Sequence, residues 1–443
     1  MEENNTKPSL STEPYKGVRD FYPEDMFIQN HIFGVMRKAV ESFGYLEYGA
    51  SILEPTELYK AKSGEEIVNE QTYSFKDRGD REVTLRPEMT PTVTRMVAAR
   101  KKEMLFPLRW YSIPNLFRYE KPQRGRLREH YQLNVDLFGI DSINAEVEMI
   151  SVAHAIMMGF GATNTDFKIK INNRKILNYL LQGVFQLDEE NMYRMMKLID
   201  KKDKITTAEF KEGASKVIDK DHVDAFIKLL NAKNIDDFTT LAIEKTSSEI
   251  LGVKETKEIL EKLNALGITN AVFDPTLARG FDYYTGIVFE VNDNNPINAR
   301  ALMGGGRFDD LLSVFGSDKV PAVGFGMGDV AIRDFLETYT LLPAYTPKIN
   351  LAMCTLGEHA INFAMNMAQN LRAEGIDVTV DITERKVGDQ IKWAIKQSIP
   401  YVLCIGDDEI KNKKFIIKEL ETKKEIEISN VKEIAEFLSK KNS

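Results

Sequence analysis

Residues 105–139, LFPLRWYSIPNLFRYEKPQRGRLREHYQLNVDLFG, decide how this chain is read. The stretch opens as an apolar, aromatic strand over residues 108–117. It passes through a loop dense in cations (Lys121, Arg124, Arg126, Arg128) and returns as a second strand over residues 130–138. Pro122 and Gly125 mark the turn, so the segment predicts a long antiparallel hairpin. Arg118 falls where the first strand meets the loop. On the return strand Gln132, Asn134 and Asp136 alternate, and a period of two puts all three on one face. Such groups are poor core material, since an unpaired buried polar group costs about 1–3 kcal/mol. That face is expected to be wet or filled by a ligand; the solvated side of an exposed hairpin is the other reading of the same residues.

The chain around the hairpin has 443 residues, too many for one ordinary core, so two or three domains are expected. Hydrophobic content of 43% and charged content of 28% are those of a soluble globular protein. The opening MEENNTKPSLSTEP carries neither the basic start nor the apolar core of a signal peptide, and no run approaches the ~18 apolar residues of a membrane span. Cys354 and Cys404 are the only cysteines, which offers no disulfide framework and no metal-ligand cluster. A cytoplasmic protein away from membranes is expected. A net charge of −8 and a pI of about 5.5 exclude a protein held on nucleic acid by its overall charge. A polyanion would have to be met by a local patch, and residues 118–128, with five cations in eleven positions, are the best candidate.

Working outward, residues 1–15 read as a disordered N-terminus. YKGVRDFYPEDM, with Arg19 and Asp20, precedes an amphipathic helix apolar at Phe27, Ile32, Val35, Met36, Ala39 and Val40 and ended at Gly44. YLEYGASILEPTELY reads as a strand closing near Pro55, and residues 72–85 as a hairpin turning at Gly79. That hairpin delivers the polar group Arg86, Pro87, Glu88, Met89 and Thr90. Thr90 and Pro91 suit the cap and first turn of the next helix. Beyond the central hairpin, residues 141–160 predict a helix and 167–171 a strand. Residues 173–268 turn Lys/Glu/Leu-rich, a helical insertion that splits a domain of residues 16–172 and 269–342. Glycine-rich and aromatic segments resume in LARGFDYYTGIVFEV, ALMGGGRFDDLL and PAVGFGMGDVAIRDFL. Three consecutive glycines (Gly304 to Gly306) predict either a tight turn or backbone in close approach to something. After the linker TLLPAYTPK, residues 348–443 alternate strands and helices as a small α/β domain.

Glu88, Gln132 and Asp136 offer acceptors; Arg118, Arg279 and Arg307 offer guanidinium forks suited to phosphate and carboxylate. There is no GxxxxGK[ST] loop and no GxGxxG opening a helix after a strand, and GFGMGD (residues 324–329) is weak as a phosphate loop. No histidine or serine stands in a nucleophilic or metal-binding spacing; His31 and His154 read as helix-face residues. The inventory suits a reaction run by positioning and charge stabilisation rather than by a covalent nucleophile.

FRYEKPQRGRLREHYQLNVDLFG resembles the second signature motif of class II aminoacyl-tRNA synthetases in its histidyl form. LRPEMT (residues 85–90) and LARGFDYYTGIVFE (residues 277–290) are similar to two histidine-specific motifs of that family, and GGGRFDDLL with AVGFGMG to its third signature. The likeness spans residues 16 to about 440 in the family's order. It implies an α+β fold: an antiparallel class II sheet flanked by helices, a helical insertion and a C-terminal α/β domain like the anticodon-binding fold. It also implies a two-step reaction in a cytoplasmic homodimer. L-Histidine and ATP, with Mg2+, give histidyl-adenylate, and the histidyl group then passes to the 3′ end of tRNA(His).

Carried over position by position, Glu88, Met89, Thr90, Gln132 and Asp136 would hold the histidine ammonium or imidazole, with Tyr283 and Tyr284 lining the imidazole pocket. Arg118 would grip the α-phosphate of ATP and the substrate carboxylate, and Arg279 would stabilise charge from the opposite side. Glu120, His130 and Arg333 would meet the nucleotide, His130 standing where a stacking Phe is common. Lys121, Gln123, Arg124 and Arg126 would meet the tRNA acceptor end. This sequence departs from the pattern at Ser51 (a proline at the dimer-forming strand), Ala331 (the third-motif arginine on adenine) and Phe308 (a tyrosine). The competing expectation is a non-catalytic relative, the regulatory subunit of ATP phosphoribosyltransferase. That relative ordinarily lacks the C-terminal domain, whereas residues 348–443 are present here.

Overall fold

The computed structural model describes residues 10–60, 71–202, 205–243, 250, 252–278, 283–298 and 300–442. The chain divides into two compact units, one running to Pro343 and one beginning at Ala344. Strands of the first unit are β1 (Leu46–Glu47), β2 (Leu53–Pro55), β3 (Tyr73–Lys76), β4 (Glu82–Leu85), β5 (Leu108–Ser112), β6 (Asn115–Phe117), β7 (Glu129–Phe138), β8 (Phe167–Asn173), β9 (Ala271–Phe273), β10 (Ile287–Asp293), β11 (Ala301–Arg307) and β12 (Ala322–Gly328). Nine of them form one sheet in the order β1-β5-β7-β12-β11-β10-β8-β9, with β6 also on β7. Pairing is antiparallel except for β1 on β5 and β9 on β8.

The central hairpin forms, in two pieces. β5 and β6 both pair antiparallel with β7, and residues 113–114 interrupt the outgoing arm. Pro114 has no N–H for the ladder, but its carbonyl accepts from Gln132 at 3.0 Å, so register survives the break. The two faces of β7 part company as a period of two requires. Leu133, Val135 and Leu137 enter the main core, with Val323, Phe325 and Met327 of β12 and Ile287, Phe289 and Val291 of β10. Helices Pro23–Ser42, Asn144–Gly159 and Asp329–Thr338 cover that side through Ile32, Met36, Val40, Ile150, Ala153, Ile332 and Phe335.

Several expectations shift. Residues 45–59 give two short strands in different sheets, β1 beside β5 and β2 beside β4, rather than one. The hairpin over 72–85 forms as β3 and β4, but the left-handed residue in its turn is Asp80, not Gly79. The following helix starts at Thr90 with Met89 as its N-cap, one residue ahead of the expected cap, and Pro91 in the first turn. The triple glycine is no turn: it lies inside β11. Residues 1–9 of the expected disordered terminus lie outside the described residues, whereas Tyr15 is anchored, its hydroxyl accepting from Arg128 Nη1 at 2.9 Å.

Between β8 and β9 the chain is helical, with its own apolar clusters around Phe210, Phe226 and Phe238. The second unit has a five-stranded sheet, β14-β13-β15-β16-β17, made of β13 (Leu351–Thr355), β14 (Val378–Val380), β15 (Tyr401–Ile405), β16 (Phe415–Glu419) and β17 (Glu425–Ile428). Helices Glu358–Ala373 and Val431–Asn442 pack on it over a separate core. Sequence reasoning on this unit missed β17, although its Glu-Ile-Glu-Ile alternation is a short strand signal that buries Ile428. It also missed the short helix Asp407–Asn412, which is too short and polar to show an apolar period.

Candidate active site

The polar face of β7 lies opposite a row of glycines. Asp136, Asn134 and Gln132 pair with Gly324, Gly326 and Gly328 of β12, and Gly324 and Gly326 pair in turn with Gly306 and Gly304 of β11. Missing side chains turn this side of the sheet into a trough. A Cβ on Gly324 would stand 2.5 Å from Asp136 Oδ1, and one on Gly326 2.5 Å from Gln132 Nε2, so these rows admit no larger residue without displacing the polar groups beside them.

The two ends of the trough differ in chemistry. At one end stand the aromatic rings. Tyr283 and Tyr284 lie 5.0 Å apart, Tyr283 is 5.9 Å from Phe308, and Tyr283 donates its hydroxyl hydrogen to Glu88 Oε2 at 3.3 Å. Phe308 would contact a Cβ on Gly324, and Tyr284 one on Gly306, which sets these rings beside the glycine floor and Asp136. Asp136 is 3% exposed and its Oδ2 has no hydrogen-bond partner. Burial pushes its carboxyl up to about 8, so an acid ordinarily ionised at neutral pH is poised to exchange its proton there.

Cations gather at the other end. Arg118 follows β6, with its backbone N–H on the Arg128 carbonyl at 2.8 Å and its Nε on the Pro87 carbonyl at 2.8 Å. That second bond ties it to the segment bearing Glu88, Met89 and Thr90; Glu88 and Met89 are buried, and the Thr90 carbonyl accepts from Thr94 Oγ1. Gln132 donates through Nε2 to Asn134 Oδ1 at 2.7 Å. His130 is held neutral: burial, then the charges of Arg118, Arg19 and Arg126, push its imidazole down to about 3. A neutral, flat ring ringed by guanidinium groups suits a nucleobase beside a phosphate chain.

Other singled-out residues are spoken for within the fold. Glu120 pairs with Arg126 at 2.6 Å. Arg124 donates to Asn298 Oδ1 at 3.0 Å, while Lys121 and Gln123 stay exposed. Arg333 bonds Asp25 at 2.9 Å and Glu337 at 3.2 Å, linking helices Pro23–Ser42 and Asp329–Thr338, and Ala331 is buried in the core. Arg307 is no open anion fork: with Glu146 it forms a buried two-point ion pair, Nη2 to Oε2 at 2.7 Å. Arg279 lies outside the described residues. Sequence reasoning missed Asp329, which accepts from the Tyr131 N–H, from Arg19 and from Gln29. An acid at the start of a helix gave no hint of partners some 200 to 310 residues away.

The trough thus offers an acid and aromatic rings at one end, and arginines around a neutral imidazole at the other. The histidyl-tRNA synthetase family model matches residues 17–330, and the anticodon binding domain model residues 350–441. The chain is 41% identical to the histidine–tRNA ligase of Leptospira biflexa over 97% of its own length and 99% of that protein's. It is 34% identical to the histidine–tRNA ligase of Thermoplasma volcanium, with 98% and 100% covered. Histidyl-tRNA synthetase from Nostoc sp. PCC 7120 shares the fold at a TM-score of 0.81 and 22% identity, covering 98% of this chain and all of that one. Fold, trough and relatives agree, and the chain belongs to the histidyl-tRNA synthetase family.

Proposed function

We infer that this chain is a histidine–tRNA ligase that activates L-histidine with ATP and passes the histidyl group to the 3′ end of tRNA(His). The observation that carries this reading is the glycine-floored trough with Asp136 and Arg118 at its two ends. The histidine imidazole lies at the Asp136 end among Tyr283, Tyr284 and Glu88, and Gln132 meets the ammonium group. Buried acceptors left unpaired by any other side chain supply the selectivity. Arg118 draws the carboxylate and the α-phosphorus together, with Arg279 acting on the same phosphate. The carboxylate oxygen attacks phosphorus in line and pyrophosphate leaves; ATP enters as its magnesium complex. The adenylate then acylates the terminal ribose of the tRNA.

Residues 16–172 and 269–342 form the catalytic domain, residues 173–268 its insertion. Lys121, Gln123 and Arg124, all exposed on the cationic loop, meet the acceptor end together with Arg126. The protein works as a homodimer in the cytoplasm. Leu46, Leu53 and Phe75 on β1, β2 and β3 are exposed, apolar surface suited to a second copy. The regulatory-subunit reading is disfavoured by the anticodon-domain match over residues 350–441.

Histidine-dependent exchange of pyrophosphate into ATP, followed by charging of tRNA(His), tests the reading; purified protein that supports neither would overturn it. Two further outcomes are expected. A histidine N–H donated to Asp136 favours its ionised form, so binding lowers the carboxyl from about 8 and expels a proton. Histidine affinity should therefore rise, by less than about tenfold, as pH climbs from neutral past 8, and calorimetry should detect the released proton. Asp136→Asn should abolish that release; an unchanged release in the variant would move the titration elsewhere. A chain ending at residue 343 keeps the whole trough and should retain exchange while charging of tRNA falls ~10-fold or more. Equal charging by the shortened chain would show that residues 348–443 read no anticodon.

A further inference from the structure

One guanidinium at the cationic end comes from outside the hairpin. Arg19, ahead of helix Pro23–Ser42, donates through Nη2 to Asp329 Oδ2 at 2.7 Å. The same oxygen accepts from Gln29 Nε2 at 2.9 Å, and Oδ1 accepts from the backbone N–H of Tyr131 at 2.9 Å. Asp329 is 1% exposed, so this is an enclosed junction rather than a surface ion pair. Tyr131 follows His130 directly, and one carboxylate thus fixes the Arg19 guanidinium beside the strand that carries the imidazole. Phe21 lies 4.8 Å from the Arg19 Cζ, ring centre to carbon. Arg19 Nε is buried and has no hydrogen-bond partner. The segment is anchored upstream as well: the Gly17 carbonyl accepts from the backbone N–H of Arg128 at 2.8 Å, and the Arg128 guanidinium lies 4.0 Å over the Tyr119 ring.

The charge of Arg19 is felt at the His130 imidazole, which burial and the surrounding arginines hold neutral. A planar guanidinium seated on one aromatic ring offers its other face to a second flat system. The Asp329 carboxylate offsets its charge, so Arg19 competes poorly with Arg118 for phosphate but well for a base. Arg333 is turned to Asp25 and Glu337, and position 331 is a buried alanine, so neither supplies such a plane. We propose that Arg19 is a nucleotide-binding residue: held by Asp329, its guanidinium forms one side of a slot for the adenine base of ATP, and His130 forms the other. This rests on the reading of the trough as an ATP site.

The test compares wild type with Arg19→Ala and Arg19→Lys, the second keeping the charge and losing the plane. KM values for ATP and histidine are taken from pyrophosphate exchange, and ATP and inorganic tripolyphosphate binding are measured directly by calorimetry. ATP KM and Kd are expected to rise about tenfold or more in both variants. Histidine KM and tripolyphosphate affinity should stay at the wild-type level, because the lost contact is to the base. Unchanged ATP affinity in both variants would overturn the proposal. So would ATP and tripolyphosphate weakening together, which would make Arg19 a phosphate ligand, or ATP and histidine weakening together with a lower unfolding midpoint, which would make it a tether. Wild-type protein that binds ATP without histidine-dependent exchange would sink the ligase reading instead, and the calorimetric comparison would still decide Arg19.

Discussion

Arg118→Ala should lower histidine-dependent pyrophosphate exchange by about 10²–10³, with the unfolding midpoint little changed. Its guanidinium is the one the fold aims: the backbone N–H is pinned to Arg128, and Nε to the Pro87 carbonyl. Nη1 and Nη2 have no hydrogen-bond partner among the described residues. Charge builds on the oxygens around phosphorus as the adenylate forms. A donor already oriented there costs no reorganisation at that moment, and losing one such contact costs about 2.7–4 kcal/mol of transition-state stabilisation. Arg118→Lys should recover little, since an ammonium cannot bridge a carboxylate and a phosphate in one plane. Exchange within a factor of two of wild type in the alanine variant would remove Arg118 from the chemistry.

Glu146→Ala should destabilise the first unit by about 3–5 kcal/mol, read from the urea midpoint at unchanged slope. Glu146 opens helix Asn144–Gly159 and meets Arg307 at the end of β11, both almost fully buried. Removing the carboxylate leaves a guanidinium enclosed with only Asp309 and the carbonyls of Ile140 and Ser142. Replacing both partners, Glu146→Leu with Arg307→Met, should cost much less, because neither charge is then stranded. A double variant as unstable as Glu146→Ala would mean that shape, rather than charge, makes this joint.

These residues also mark how far the sequence can be read. The hairpin and the shared face of Gln132, Asn134 and Asp136 are legible because strand alternation is local and leaves the same trace wherever the strand ends up. Arg307 and Arg333 look as available as Arg118, and nothing nearby in sequence announces Glu146 or Asp25 as their partners. The triple glycine is ambiguous between turn and close packing until β12 lies alongside it. Residues 45–59 read as one strand because an apolar run does not reveal that its halves join different sheets. The motifs carried by resemblance name most of the trough, but Asp329 and Arg19 come from segments some 310 residues apart and meet only in the folded chain.

The bare floor between β7 and β11 has a bearing on how such a protein can change over generations. Room there exists because side chains were left out, so drift at Gly324 or Gly326 can only shrink it and collide with Asp136 or Gln132. Any altered appetite for a different amino acid has to be written into the rim, where tyrosines, acids and arginines can be exchanged one at a time.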